Sequence, residues 1–181
     1  VTVLQRLADL SLLHRQDVAG RVRFNMHEVL RVFAQEALDG SGETAAGRDR
    51  HLEFFADTVA ECFVTMTGAR QTQVLAGLQS DDGNIALAWQ WSIERQRYET
   101  MCGMLPAIYR YATIVSNLAQ WLSRFENALA ALPTTPPQPL HAMLQARLGG
   151  ALNAVGEFER ARVLLQEAIA SLDAVHADDE G

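Results

Sequence analysis

His27 is the residue whose type and setting point most directly to chemistry. It stands in Arg23-Phe24-Asn25-Met26-His27-Glu28, where a short β-like run gives way to the amphipathic stretch Val29 to Leu38. A residue at such a junction starts a helix, where free backbone N–H groups and the helix dipole favour an anion. An imidazole N–H held there can donate to a phosphate oxygen. The competing reading is a surface or capping histidine with no ligand.

Other chemistries find little footing. Lysine is absent from all 181 residues, which removes a P-loop lysine, Schiff-base chemistry and a lysine general base together. No HExxH, CxxC or GxSxG occurs. Gly40-Ser41-Gly42 with Gly47 has the look of a glycine loop, but no Lys-Ser/Thr follows it, and it reads as a linker. Cys62 and Cys102 are far apart and each fits an apolar helix face, as reduced core thiols would. Trp89, Trp91 and Trp121 read as core or helix–helix packing. Asp57, Glu61, Glu94, Arg95 and Glu99 fall on solvated helix faces. Neither catalysis nor metal binding is expected of this chain, and no cofactor is expected in it.

Charge narrows the partners further. The net charge is −7, and residues 1–40 balance five arginines against five acids, so all of the excess lies after residue 40. A phosphate-backbone partner needs a basic face, and neither part offers one. Thr2 to Leu10, with Arg6 opposed by Asp9, would be the DNA-reading helix of a winged helix, with Arg15, Arg21 and Arg23 beside phosphates. Its zero net charge argues against that use, so direct DNA binding is not expected. No apolar run approaches the ~20 residues of a membrane span. The first residues, VTVLQRLADL, lack the features of a signal peptide and begin inside a periodic helix pattern. The chain reads as a segment of a longer cytoplasmic protein.

The elements that must position His27 come next. A helix over 2–10 places Val3, Leu7 and Leu10 on one face. Leu12 to Gln16 and Val22 to Met26 read as strands joined by a turn at Asp17-Val18-Ala19-Gly20. A helix over 27–38 turns Val29, Leu30, Phe33, Ala37 and Leu38 inward. Asp39 to Glu43 is a break. Helical periodicity follows without interruption: 48–66 (Leu52, Phe55, Val59, Cys62, Phe63, Met66), 69–79 (Val74, Leu75, Leu78), 84–96 (Ile85, Ala88, Trp89, Trp91), 100–114 (Met101, Met104, Leu105, Ile108, Tyr111, Ala112) and 117–132 (Leu118, Trp121, Leu122, Phe125, Leu129, Leu132). Ser80 to Asn84 supplies turn and N-cap chemistry. Pro133 to Pro139 reads as an extended spacer. Strands are expected only within about residues 12–26.

Residues 142–175 can be laid on the ~34-residue tetratricopeptide pattern. Leu148-Gly149 takes the Leu-Gly place, Gly156 the turn between the helices, and Ala161 and Ala168 the small-residue places, with Leu165 between them. Small residues let paired helices approach closely. Gln145, Leu152 and Asp173 depart from the pattern where it prefers Trp, Tyr and Pro. Asn153 falls on the first helix of the unit at a position that faces a concave side, where it could hydrogen-bond an extended peptide. A lone repeat cannot bury both faces, so Val163 and Leu164 should stay partly exposed.

The order of these parts resembles a region of bacterial STAND signalling ATPases. There a winged helix ends in a Met-His-Asp motif, a helical linker follows, and a tetratricopeptide array begins. Met26-His27-Glu28 matches the motif with Glu28 in place of the usual Asp. The stretches 50–61, 71–78 and 81–94 resemble the linker. The resemblance implies a mainly α chain: the C-terminal part of a winged helix with its β-hairpin (1–40), a helical linker (41–135) and a tetratricopeptide-like hairpin (136–181) of a right-handed array of antiparallel helix pairs. It implies that His27 senses ADP phosphate in the full-length parent, which would bind ADP or ATP through an upstream nucleotide-binding domain. Further helical repeats would lie downstream. The function implied is non-catalytic relay between that switch and a sensor array. The alternative is a stand-alone helical-repeat adaptor for a peptide or protein partner.

Overall fold

The computed structural model describes residues 2–18, 21–115, 117–133 and 139–179. They form a mainly helical chain with one two-stranded antiparallel sheet. It divides into two compact units, residues 1–47 and 48–181.

The first unit runs α1 (Val3–Asp9), β1 (Leu13–Val18), β2 (Arg21–Met26) and α2 (Glu28–Ser41). Thr2 caps α1 by accepting from the Gln5 N–H at 3.3 Å. The hairpin register pairs Leu13 with Met26 and Val18 with Arg21. Asp17 and Val18 therefore belong to the ladder and not to the expected turn; Ala19 and Gly20 lie outside the described residues. α2 outlasts its expected end and carries Gly40 and Ser41 in its last turn. It stops at Gly42, whose φ of +75° is the left-handed conformation that glycine adopts at a helix end without strain. Ser41 Oγ donates to the Leu38 carbonyl at 2.7 Å, and Thr44 Oγ1 donates to Asp39 at 2.7 Å. The break thus narrows to Gly42-Glu43.

The faces expected to turn inward in this unit do so only in part, with Leu7, Leu30 and Leu38 half-buried. Val29 and Phe33 of α2 are 69% and 68% exposed, and Val3 and Leu10 are exposed as well. Neither α1 nor α2 contains a buried residue. The pattern for a buried stripe is present, but two short helices and a ribbon supply too little surface to cover it.

The second unit holds α3 (Thr44–Thr65, whose first turn belongs to the first unit), α4 (Gln71–Ser80), α5 (Asp82–Glu94), α6 (Tyr98–Ile114), α7 (Leu118–Ala131), α8 (Pro139–Ala154) and α9 (Phe158–Asp179). Here the periodic apolar positions are buried: Leu52, Val59, Ile85, Trp89, Met104, Ile108, Trp121 and Phe125 are at most 2% exposed. Phe63 and Cys62 depart from expectation: Phe63 is 38% exposed and Cys62 half-buried. Both lie in the last turn of α3, although Met66 just beyond it is fully buried. Trp89, Trp121 and Phe125 form an aromatic cluster with centroids 5.8 to 6.4 Å apart.

The indole N–H groups all find acceptors, as buried donors must. Trp89 donates to the Arg124 carbonyl at 3.3 Å, Trp121 to Asp82 at 3.3 Å and Trp91 to Asp49 at 2.8 Å. Tyr111 shares a hydrogen bond with Asp82; burial pushes its phenol far up, and the Asp82 charge and hydrogen bond add to the shift. These partners explain a departure from the expected turn at Ser80 to Asn84. α4 and α5 abut at the single residue Asp81, and Asp82, Gly83 and Asn84 lie in the first turn of α5.

The α8–α9 pair is built by glycine. A Cβ on Gly149 would sit 2.8 Å from Leu165 Cγ and 3.3 Å from the Ala161 carbonyl oxygen. A Cβ on Gly150 would sit 2.7 Å from the Tyr109 hydroxyl. Two interior helix glycines cost about 1 kcal/mol each against alanine, and close approach of α9 on one side and α6 on the other gives each a reason. Ala161 and Ala168 are 2% and 3% exposed. Gly156 takes φ +90° between the helices. Gln145 is buried yet satisfied, donating to Glu167 at 3.2 Å and accepting from Ser171 at 2.9 Å. Pro139, read as spacer, is instead the first residue of α8, where a missing N–H costs nothing. Thr134 to Gln138 of that spacer lie outside the described residues. No helix among the described residues is long and apolar enough to cross a membrane.

Candidate functional site

His27 follows β2 directly and is the N-cap of α2, with extended backbone at φ −60° and ψ 142°. Its Nδ1 accepts the Val29 N–H at 3.4 Å. An accepting Nδ1 puts the ring proton on Nε2, so the outer edge of the imidazole is a donor. The ring is exposed. Glu28 does not reach toward His27; its carboxylate takes two hydrogen bonds from Arg31, at 3.0 and 2.5 Å, on the helix surface. Arg31 holds the Glu28 carboxyl below its usual range. The geometry serves both readings of His27: it is a capping residue, and it also presents an N–H beside a helix N-terminus.

Asn153 is exposed on α8, one turn beyond Gly150. Its carbonyl accepts the Gly156 N–H at 3.2 Å, which makes its backbone part of the turn into α9. His27 belongs to the first unit and Asn153 to the second.

Two grooves of the second unit were not foreseen from the sequence. The larger, about 570 Å³, lies between α7, α8 and α9. Leu129, Leu148, Val163 and Leu164 line it, with Glu126, Glu159, Arg160 and Glu167 among its walls. Arg160 bridges Glu126 and Glu157, each at 2.6 Å, and so ties α7 to α9. Val163 is 45% exposed, in line with the expected unpartnered edge.

The smaller groove, about 390 Å³, is lined by Phe63 of α3, Pro106, Tyr109, Arg110, Thr113 and Ile114 of α6, and Arg147 of α8. Arg110 lies over the Phe63 ring at 5.4 Å and Arg147 over the Tyr109 ring at 5.1 Å. Among the described residues neither arginine forms an ion pair. The sequence does carry a signal for this. Positions three and four residues from Arg110 hold Pro106, Ala107, Thr113 and Ile114, and those around Arg147 hold Met143, Leu144, Gly150 and Ala151. Arg31, Arg160 and Arg162 each have a glutamate three residues earlier and pair with it.

Burial pulls the His51 pKa down, partly opposed by its hydrogen bond with Asn84. Burial, with the nearby Glu99, pushes the Cys102 thiol up, which suppresses the reactive thiolate. Neither Cys62 nor Cys102 takes part in a disulfide. Among the described residues no group of three or more His, Cys, Asp or Glu side chains is placed to hold a metal ion. Comparison with family models, with curated proteins and with solved structures finds no match to this chain.

Proposed function

We propose that this chain is a non-catalytic regulatory and interaction segment of a STAND-type signalling or transcriptional regulator, coupling a nucleotide switch to a helical sensor array. The observation that carries the reading is His27. It follows a β-hairpin, caps the next helix through Nδ1, and turns a donor edge outward at the positive end of α2. The uncovered apolar faces of α1 and α2 support the same reading, since a winged-helix remnant would keep them for the rest of its domain. The hairpin of α8 and α9, with Gly149, Ala161 and Ala168 at its close contacts and Gly156 at its turn, supports a tetratricopeptide-like unit at the sensor end.

In the proposed parent, His27 donates to an ADP phosphate and so favours the closed state. A hydrogen bond to a charged group contributes about 1.5–3 kcal/mol. Its loss shifts a two-state switch on the order of tenfold to a hundredfold. The test is calorimetric titration of ADP into the parent, into its His27→Ala variant and into this chain alone. The reading expects weaker ADP binding in the variant and none by the chain alone. Equal affinity in parent and variant reduces His27 to a cap, and tight binding by the chain alone overturns the domain reading.

A further inference from the structure

We infer that the groove between α3, α6 and α8 is a docking site for an acidic peptide segment of a partner protein, gripped by Arg110 and Arg147. The chain as a whole is acidic, at −7, yet this groove contains two arginines and no carboxylate. Each guanidinium lies over an aromatic ring, Arg110 over Phe63 and Arg147 over Tyr109. A cation–π contact restrains the guanidinium, and with no ion pair among the described residues to occupy them its N–H donors can meet a carboxylate in bidentate fashion. A guanidinium already restrained by a ring loses less freedom on binding than an unrestrained one.

The rest of the lining selects a peptide over a small anion. Pro106 and Ile114 stand four residues either side of Arg110 on α6 and add apolar surface to the lining, and Ile114 is 40% exposed. A phosphate site draws on backbone N–H groups at a helix N-terminus. This groove draws on the middle of α8 and the C-terminal halves of α3 and α6, whose backbone N–H groups are spent within the helices. Arginines set among apolar residues match a segment that combines acidic and apolar side chains. The larger groove is the contrasting case: three glutamates and a single, already paired arginine line it. This inference does not depend on a nucleotide switch, because the groove lies wholly within the second unit.

The experiment pans a random peptide library displayed on phage against the whole chain, then measures a selected peptide by fluorescence anisotropy. Selected sequences should combine Asp or Glu with apolar residues. Exchanging their acids for amides, or raising the salt concentration, should weaken binding to the unaltered chain. Arg110→Gln and Arg147→Gln should each weaken it on the order of tenfold, while Glu126→Gln in the other groove should leave it unchanged. Failure to select any peptide, selection of peptides without acids, or equal binding by the double arginine variant would overturn the inference. So would competition by inorganic phosphate at the concentration of the peptide, which would make the groove a small-anion site. The acid-to-amide exchange is read on the unaltered chain, so the result stands even if an arginine variant folds poorly.

Discussion

The two units share one sequence grammar and differ in what it achieves. Both carry apolar residues at helical spacing. In residues 48–181 that spacing produces a continuous core from Leu52 to Ala161. Among the described residues of 1–47 the buried hydrophobic residue is Leu13 on β1, and Val29, Val32 and Phe33 of α2 are open to solvent. Periodicity specifies which face of a helix is apolar. It does not specify what covers that face. Where enough helices follow one another, they cover each other; where few do, the face waits for another surface.

The sharpest way to break this comparison is to truncate one aromatic residue in each unit. Trp121 is fully buried among Trp89 and Phe125, so Trp121→Ala should destabilise the second unit by about 3–5 kcal/mol. Phe33→Ala removes a side chain that is 68% exposed and should change stability by no more than about 0.5 kcal/mol. Urea unfolding followed by circular dichroism reads both. All three tryptophans lie in the second unit, so fluorescence of Phe33→Ala and of the unaltered chain separates the two transitions. A large loss at Phe33 would show its face to be covered in solution.

A second pair of substitutions sharpens the account of the α8–α9 contact. Ala161→Leu should cost about 1–3 kcal/mol by overpacking. Gly149→Ala gains helix propensity but drives a Cβ to 2.8 Å from the Leu165 branch carbon, and should be destabilising by about 1 kcal/mol net. Gly103, inside α6, has open space around its would-be Cβ, so Gly103→Ala should stabilise by about 0.4–1 kcal/mol. Opposite signs at these two glycines in thermal melts would support the close approach; equal signs would dissolve it.

The smallest effect concerns pH. Burial lowers the His51 pKa in the folded chain, so below the ordinary histidine value of about 6.5 the unfolded state takes up a proton that the folded state resists. Stability therefore falls as pH drops from that value toward the folded pKa, and is flat above it. His51→Gln should flatten this slope in urea midpoints measured across the mildly acidic range. A slope unchanged in the variant belongs to another group.

Much of the architecture was legible in the residues. The hairpin, the helix starting after His27, and the helical run beyond Gly42 all follow from period-two and period-3.6 patterning. Ala161 and Ala168 were readable as buried because small residues recur where helices meet. What escaped depended on neighbours distant in sequence. Gly150 is explained by the Tyr109 hydroxyl, and the first turn of α5 by Trp121 and Tyr111 converging on Asp82. The arginine groove needed α3, α6 and α8 together, although the missing acids around Arg110 and Arg147 were visible in the sequence. Of the two site residues proposed from sequence, His27 has a defined cap geometry and Asn153 an exposed position next to the α8–α9 turn.

Amide hydrogen exchange tests the central claim most directly, because it reports cover residue by residue. In this chain alone, amides of α2 should exchange far faster than those of α6 and α8, whose apolar faces are buried. In the proposed parent with ADP bound, α2 should become protected while α6 and α8 change little. Protection of α2 in the isolated chain equal to that of α8, or no gain of protection in the ADP-bound parent, would contradict the account.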